Sequence, residues 1–73
     1  MDTQNAELLE YLEKYGRITP LEALAKLGIY RLSARIFDLR AAGHNIETNI
    51  LEEKDRRGRR CRVAEYIYLG RAA

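Results

Sequence analysis

Cysteine and histidine each occur once, at Cys61 and His44. A single cysteine excludes an intrachain disulfide, and a lone free thiol fits a reducing compartment. One histidine and one cysteine cannot build a tetrahedral metal site without borrowed ligands. No apolar run approaches the ~18 residues of a membrane span. The opening Met-Asp-Thr-Gln-Asn lacks the basic and apolar regions of a secretory signal. The expected location is therefore the cytoplasm, away from membranes. No glycine-rich phosphate loop is present, and no serine or cysteine has a base and an orienting group nearby in sequence. Neither catalysis nor a cofactor nor a small-molecule substrate is expected.

With 73 residues the chain has room for one domain, taken as 1–73. Domains of this size bury only about 60% of the surface their unfolded chains expose, which leaves little to line a deep cavity. Hydrophobic residues make up 47% of the chain, so a packed core is expected rather than disorder. The net charge of +2 is small, but it is unevenly spread. Residues 1–30 hold three Lys/Arg against five Asp/Glu, whereas residues 31–73 hold ten against six. Six of the nine residues from Lys54 to Arg62 are basic, which concentrates positive potential in one place.

Hydrophobic spacing divides the chain into helices and strands. Asp2 or Thr3 can cap a first helix, along which Leu8, Leu12 and Tyr15 recur at i, i+4, i+7, widened by Leu9 and Tyr11. Glu7, Glu10 and Glu13 fall off that stripe, and Gly16 ends the helix. Arg17-Ile18 is long enough only for a bridge strand. In Thr19-Pro20-Leu21-Glu22, Thr19 is an N-cap, Pro20 takes the first helical position, and Glu22 completes a capping box. Leu21, Leu24 and Leu27 are expected to line one face of this second helix, which Gly28 stops. A third helix is expected from Ile29 or Tyr30, with Leu32, Ile36 and Leu39 inward and Gly43 as its stop. Two helices joined by a tight turn around a glycine form a helix-turn-helix arrangement. Spacing alone leaves a generic three-helix bundle equally open.

After Gly43 the period changes from 3.6 to 2. Ile46, Thr48 and Ile50 alternate with Glu47 and Asn49, and a second run covers Cys61 to Leu69. Between them, Asp55-Arg56-Arg57-Gly58 suits a type I turn with glycine in the left-handed slot, the three-residue hairpin loop. Pairing Asp55 with Arg59 sets Ile50 opposite Ala64, Thr48 opposite Tyr66 and Ile46 opposite Tyr68, all on the face toward the helices. Val63, Ile67 and Leu69 fall on the other face, where Ile67, Leu69 and Leu51 form an apolar strip without cover. The expected elements are helices near 4–15, 20–27 and 30–42 and strands near 45–53 and 61–69. His44 is expected as an exposed turn residue and Cys61 as a small packing residue. Tyr11, Tyr15, Tyr66 and Tyr68 are expected to face the core, which leaves only Tyr30 free.

The order helix, short strand, helix, turn, helix, hairpin resembles the winged-helix branch of the helix-turn-helix proteins, in particular the small ones of phages and prophages. The resemblance is carried by Arg17-Ile18-Thr19-Pro20-Leu21-Glu22-Ala23-Leu24, then Ala34-Arg35-Ile36-Phe37-Asp38-Leu39-Arg40, then Gly43 and Ile46-Glu47-Thr48. It runs from about Leu8 to Leu69. It implies an α+β fold, three helices followed by a β-hairpin wing, and binding to double-stranded DNA as a transcriptional regulator or recombination accessory factor. The third helix would enter the major groove while the wing lies against the backbone.

On a helical wheel the third helix turns Tyr30, Ala34, Asp38 and Ala41 outward, with Arg31 and Arg35 on one flank. The candidate recognition residues are Tyr30, Arg31, Ala34 and Arg35. Arg31 and Arg35 could each bridge the acceptors of guanine, and Ala34 permits close approach or touches a thymine methyl. Asp38 would be repelled by phosphates unless it pairs with Arg31 or Arg35 or accepts from a cytosine amino group, and the ion pair is the favoured outcome. Phe37 falls between core and surface on the wheel and receives no role. The candidate wing contacts are Lys54, Arg56, Arg57, Arg59, Arg60 and Arg62, which would grip phosphates or place an arginine in a narrow minor groove. The rival expectation is a protein-interaction module, with the Ile67/Leu69 strip as a partner surface or as the interface of a homodimer.

Overall fold

The computed structural model describes residues 3–71, running α1 (Thr3–Tyr15), β1 (Arg17–Ile18), α2 (Pro20–Leu27), α3 (Leu32–Ala41), β2 (His44–Lys54) and β3 (Arg60–Arg71). The capping role considered for Asp2 lies outside the described residues. The strands form one antiparallel sheet in the order β1-β3-β2. Among the described residues no helix is long and apolar enough to cross a membrane.

The core is built from Leu8 and Leu12 of α1, Ile18 of β1, Ala23 of α2, Ile29, then Leu32, Ile36 and Leu39 of α3, and Ile46 of β2. Leu9, Tyr11, Leu27, Tyr66 and Tyr68 pack around it. Glu7, Glu10 and Glu13 face solvent, as their spacing requires. Tyr15 departs from expectation: it is 56% exposed. As the last residue of α1 it lies past the edge of the core and leans on Tyr11, with ring centroids 4.6 Å apart.

The start of α2 follows the capping chemistry. The Glu22 N–H donates to Thr19 Oγ1 at 3.3 Å, and the Thr19 N–H donates to Glu22 Oε1 at 3.1 Å. Of the three leucines expected to face inward, only Leu27 packs on the core. Ala23 is fully buried and Leu27 partly so, whereas Leu21 is 74% exposed and Leu24 is also exposed. A helix turns about 100° per residue, so Ala23 and Leu27 share a face and Leu21 lies nearly opposite. The small Ala23, not the larger Leu21 or Leu24, takes the innermost position.

Gly28 closes α2 in the left-handed conformation, φ 67°, which a residue without Cβ adopts at little cost. Its N–H donates to Leu24 O, and that of Ile29 donates to Ala23 O. That second bond belongs to the end of α2, so α3 starts only at Leu32 and not at Ile29 or Tyr30. Ile29 is buried in the turn, while Tyr30 and Arg31 precede the helix.

The hairpin register is the expected one, with Ile46↔Tyr68, Thr48↔Tyr66 and Ile50↔Ala64. The Asp55 N–H donates to Arg59 O at 2.8 Å and the Gly58 N–H to Asp55 O at 3.0 Å, with Gly58 at φ 79°. Beyond Ile46 the ladder slips, because Asn45 pairs with Gly70 and Leu69 is left over. His44 is a correction: it is buried, begins β2, and its Nδ1 lies 3.0 Å from the Tyr68 hydroxyl. The strand starts directly after Gly43 and carries the imidazole under the sheet instead of leaving it in a turn.

The helices cover only the near part of the hairpin. Ile46 is buried, but Ile50, on the same face, is exposed, so the distal hairpin projects and the molecule measures 41 × 24 × 20 Å. On the outer face Leu69 is 53% exposed, while Ile67, Leu51 and Val63 are half-buried. Glu65 on that face is buried, with its carboxylate 3.9 Å from Arg17 Nε. Cys61 is half-buried near the start of β3.

Candidate nucleic-acid interface

The side of α3 opposite Leu32, Ile36 and Leu39 is open to solvent. Phe37 is 70% exposed, and Tyr30, in the turn that leads into the helix, is 87% exposed. Ala34 is half-buried between them in sequence. Arg31 occupies the N-cap position with no side-chain capping bond, leaving its guanidinium exposed at the helix entrance. Arg35 lies on the flank toward α1. Its guanidinium pairs with Asp38 at 3.2 Å, the expected ion pair, and Asp38 also accepts from Asn5 Nδ2 of α1 at 3.2 Å. The carboxylate that would repel phosphate is thus held by two donors.

The opposite flank carries a contact that spacing alone did not reveal. Arg40 donates from Nε and Nη2 to the carbonyl of Ile46, at 3.0 and 2.6 Å, and from Nη2 to Thr48 Oγ1 at 3.0 Å. Arg40 therefore fastens the end of α3 to the first half of β2. Its partner is a backbone oxygen whose position depends on the tertiary fold, so no local pattern announces it.

At the hairpin tip, Asp55 organises the basic loop. Its Oδ1 accepts from the backbone N–H groups of Arg59 and Arg57, each at 2.9 Å, and its Oδ2 lies 3.1 Å from Arg59 Nε. The Arg59 N–H foremost, with the Arg57 N–H and the Arg59 guanidinium, holds the Asp55 carboxyl below the ordinary aspartate value. Arg60 is within 4.0 Å of Glu52. Two of the six basic candidates thus have acidic partners, whereas Lys54, Arg56, Arg57 and Arg62 have no ion-pair partner among the described residues. Lys54 stands opposite Arg60 and Glu52 opposite Arg62. By strand alternation these four share the sheet face of Ile46 and Thr48, the face that meets the helices.

Over residues 3–70 the chain matches the family described as winged helix-turn-helix domain. It belongs to that family. No curated protein and no solved structure matches it. In a winged helix-turn-helix domain α2 and α3 are the helix-turn-helix and the β2–β3 hairpin is the wing, and membership supports DNA binding in general. Of the recognition-helix candidates, Ala34 and Arg35 lie on α3, while Tyr30 and Arg31 lie in the turn before it. The wing candidates all lie at or beside the hairpin tip, with α3 and the wing joined through Arg40. Among the described residues no group of three or more His, Cys, Asp or Glu is placed to hold a metal ion.

Proposed function

We propose that this winged helix-turn-helix domain binds duplex DNA by presenting α3 to the major groove and resting its basic wing on the phosphate backbone. The observation that carries the reading is the Arg40 clamp, together with the strand register. Lys54, Arg60 and Arg62 fall on the helix side of the sheet, and the clamp ties that sheet to the helix that would enter the groove. Arg56 and Arg57 at the tip, both exposed and without ion-pair partners among the described residues, supply the sequence-independent grip. Arg31 adds a cation at the entrance of α3. Such a protein acts as a regulator or as an accessory factor in recombination, and neither role needs a catalytic step.

The test is fluorescence anisotropy with mixed-sequence duplex over a range of salt. Submicromolar binding at low salt should collapse as salt rises, with a log–log slope of roughly −0.9 per neutralised phosphate. Salt-insensitive binding, or none, would overturn the reading.

A second reading draws on the exposed Leu69 beside half-buried Ile67 on the outer sheet face. That strip suits a homodimer or a protein partner. Sedimentation at micromolar concentration distinguishes a self-associating domain from a monomeric one.

A further inference from the structure

The outward surface of α3 carries an apolar strip, and Asp38, the one charged residue beside it, is held by Arg35 and Asn5. Ala34, Phe37 and Ala41 lie opposite the buried Leu32, Ile36 and Leu39, and Tyr30 extends the same surface into the preceding turn. Ala34 floors a depression of about 310 Å³ bounded by Gln4, Tyr30, Arg31 and Arg35. Phe37 stands one turn further along, close enough to Ala34 for the two to act on adjacent base steps. The arginines of the helix proper are committed to the flanks, Arg35 on Asp38 and Arg40 on the Ile46 carbonyl. For Arg35 or Arg40, a bidentate reading of guanine would first have to break one of those contacts.

A duplex has the complementary pattern. Its phosphates line the rims of the major groove, and the one apolar group on the groove floor is the 5-methyl of thymine, which alanine and phenylalanine side chains contact. Arg31 on one side of the apolar strip and the wing cations on the other match two phosphate rims.

We propose that Phe37 and Ala34 are the specificity-determining residues of the domain and recognise thymine methyl groups in the major groove. The proposal rests on the duplex-binding reading above. It displaces the expectation that arginine–guanine contacts carry the sequence information.

The experiment compares duplexes that differ only in those methyls. A preferred duplex is selected from a random library, and each thymine in it is then replaced singly by uracil. The wild-type domain should lose roughly three- to fivefold in affinity for each contacted methyl removed, the value of one buried methyl group. Phe37→Ala should bind the thymine and uracil duplexes alike at its contact position, with a smaller loss on random duplex than on the preferred one and an unchanged salt slope. Because Phe37 is exposed, the variant should keep its melting temperature, and Phe37→Leu should recover part of the discrimination.

Wild-type protein that binds duplex in a salt-dependent way but is indifferent to uracil, or a selected site without thymine, overturns this inference and leaves the duplex reading standing. Absence of any duplex binding overturns both. A Phe37→Ala variant that still discriminates thymine from uracil but no longer self-associates assigns the surface to a second copy and also overturns the inference.

Discussion

Arg40 of α3 and Ile46 of β2 are joined by two hydrogen bonds from one guanidinium to one carbonyl oxygen. Because β2 is an edge strand of the β1-β3-β2 sheet, that carbonyl has no third strand to serve it. Arg40 supplies the missing donors, and in doing so ties the end of α3 to the wing. Arg40→Met keeps the aliphatic stem and removes the donors. We expect a loss of about 1–2 kcal/mol, since hydrogen bonds from charged groups are worth roughly 1.5–3 kcal/mol and this one is partly exposed. Thermal melting checks it, at roughly 4–8 °C per kcal/mol for a domain of this size. An unchanged melting temperature would show that the clamp is not holding the wing.

The wing loop offers a test of turn chemistry. Gly58 sits at φ 79°, and a Cβ placed there would meet nothing within 4 Å. The penalty for Gly58→Ala is therefore purely conformational and should be about 1 kcal/mol. Gly58→Asn should cost less, because asparagine tolerates the left-handed region. Chemical denaturation of the three proteins ranks them.

Asp55 gives a pH prediction. Its folded-state pKa lies below the ordinary value of 3.8 because the carboxylate accepts from the Arg59 and Arg57 N–H groups and pairs with the Arg59 guanidinium. A depressed pKa means that the ionised form favours the folded hairpin. The contribution is present above the ordinary value and is lost as pH falls through the lower, folded-state one. The amide resonances of Arg57 and Arg59 should thus titrate together below pH 3.8. Asp55→Asn should abolish that titration while keeping an acceptor for the turn.

The wing arginines should divide by their partners. Arg56→Gln and Arg57→Gln should each make the salt dependence of duplex binding shallower by roughly 0.9 in the log–log slope. Arg59→Gln and Arg60→Gln should change it less, because Asp55 and Glu52 already occupy those guanidinium groups in the free protein. Equal effects at all four positions would mean that the ion pairs open on binding.

His44 and Tyr68 supply a test of the sheet itself. Tyr68→Phe removes the hydroxyl 3.0 Å from Nδ1 and leaves a buried ring nitrogen without its partner, which should cost on the order of 1–3 kcal/mol. Thermal melting at neutral pH reads that loss without reference to DNA.

What could be read in advance followed from how local its cause was. Asp55 and Gly58 dictate a three-residue loop, and counting back from that loop places Ile46 opposite Tyr68 without any tertiary information. Thr19 and Glu22 likewise announce the start of α2 within four residues. The inward face of α2 was misread because Ala23, though small, is the residue that meets the core, whereas Leu21 is larger and points away. His44 and Arg40 were missed for a related reason. Each is satisfied by an atom distant in sequence or on the backbone, the Tyr68 hydroxyl and the Ile46 carbonyl, and neither leaves a trace in spacing. Phe37 could not be placed because the wheel puts it between core and surface, and only the fold resolves it to solvent.

The two-residue strand β1 joins the early part of the chain to its last strand, Ile18 against Tyr66 and Arg17 against Ile67. The central position in the sheet is thus filled by the last of its three strands to be synthesised. Until β3 arrives, β1 and β2 have nothing to pair with, and Ile18 and Ile46 wait without their cover. Contacts so distant in sequence slow folding, because the intervening chain must be ordered before they form. The helices can form early but cannot complete the core by themselves. For this small domain, folding during synthesis should be a late, single event rather than a growth from the first helix onward.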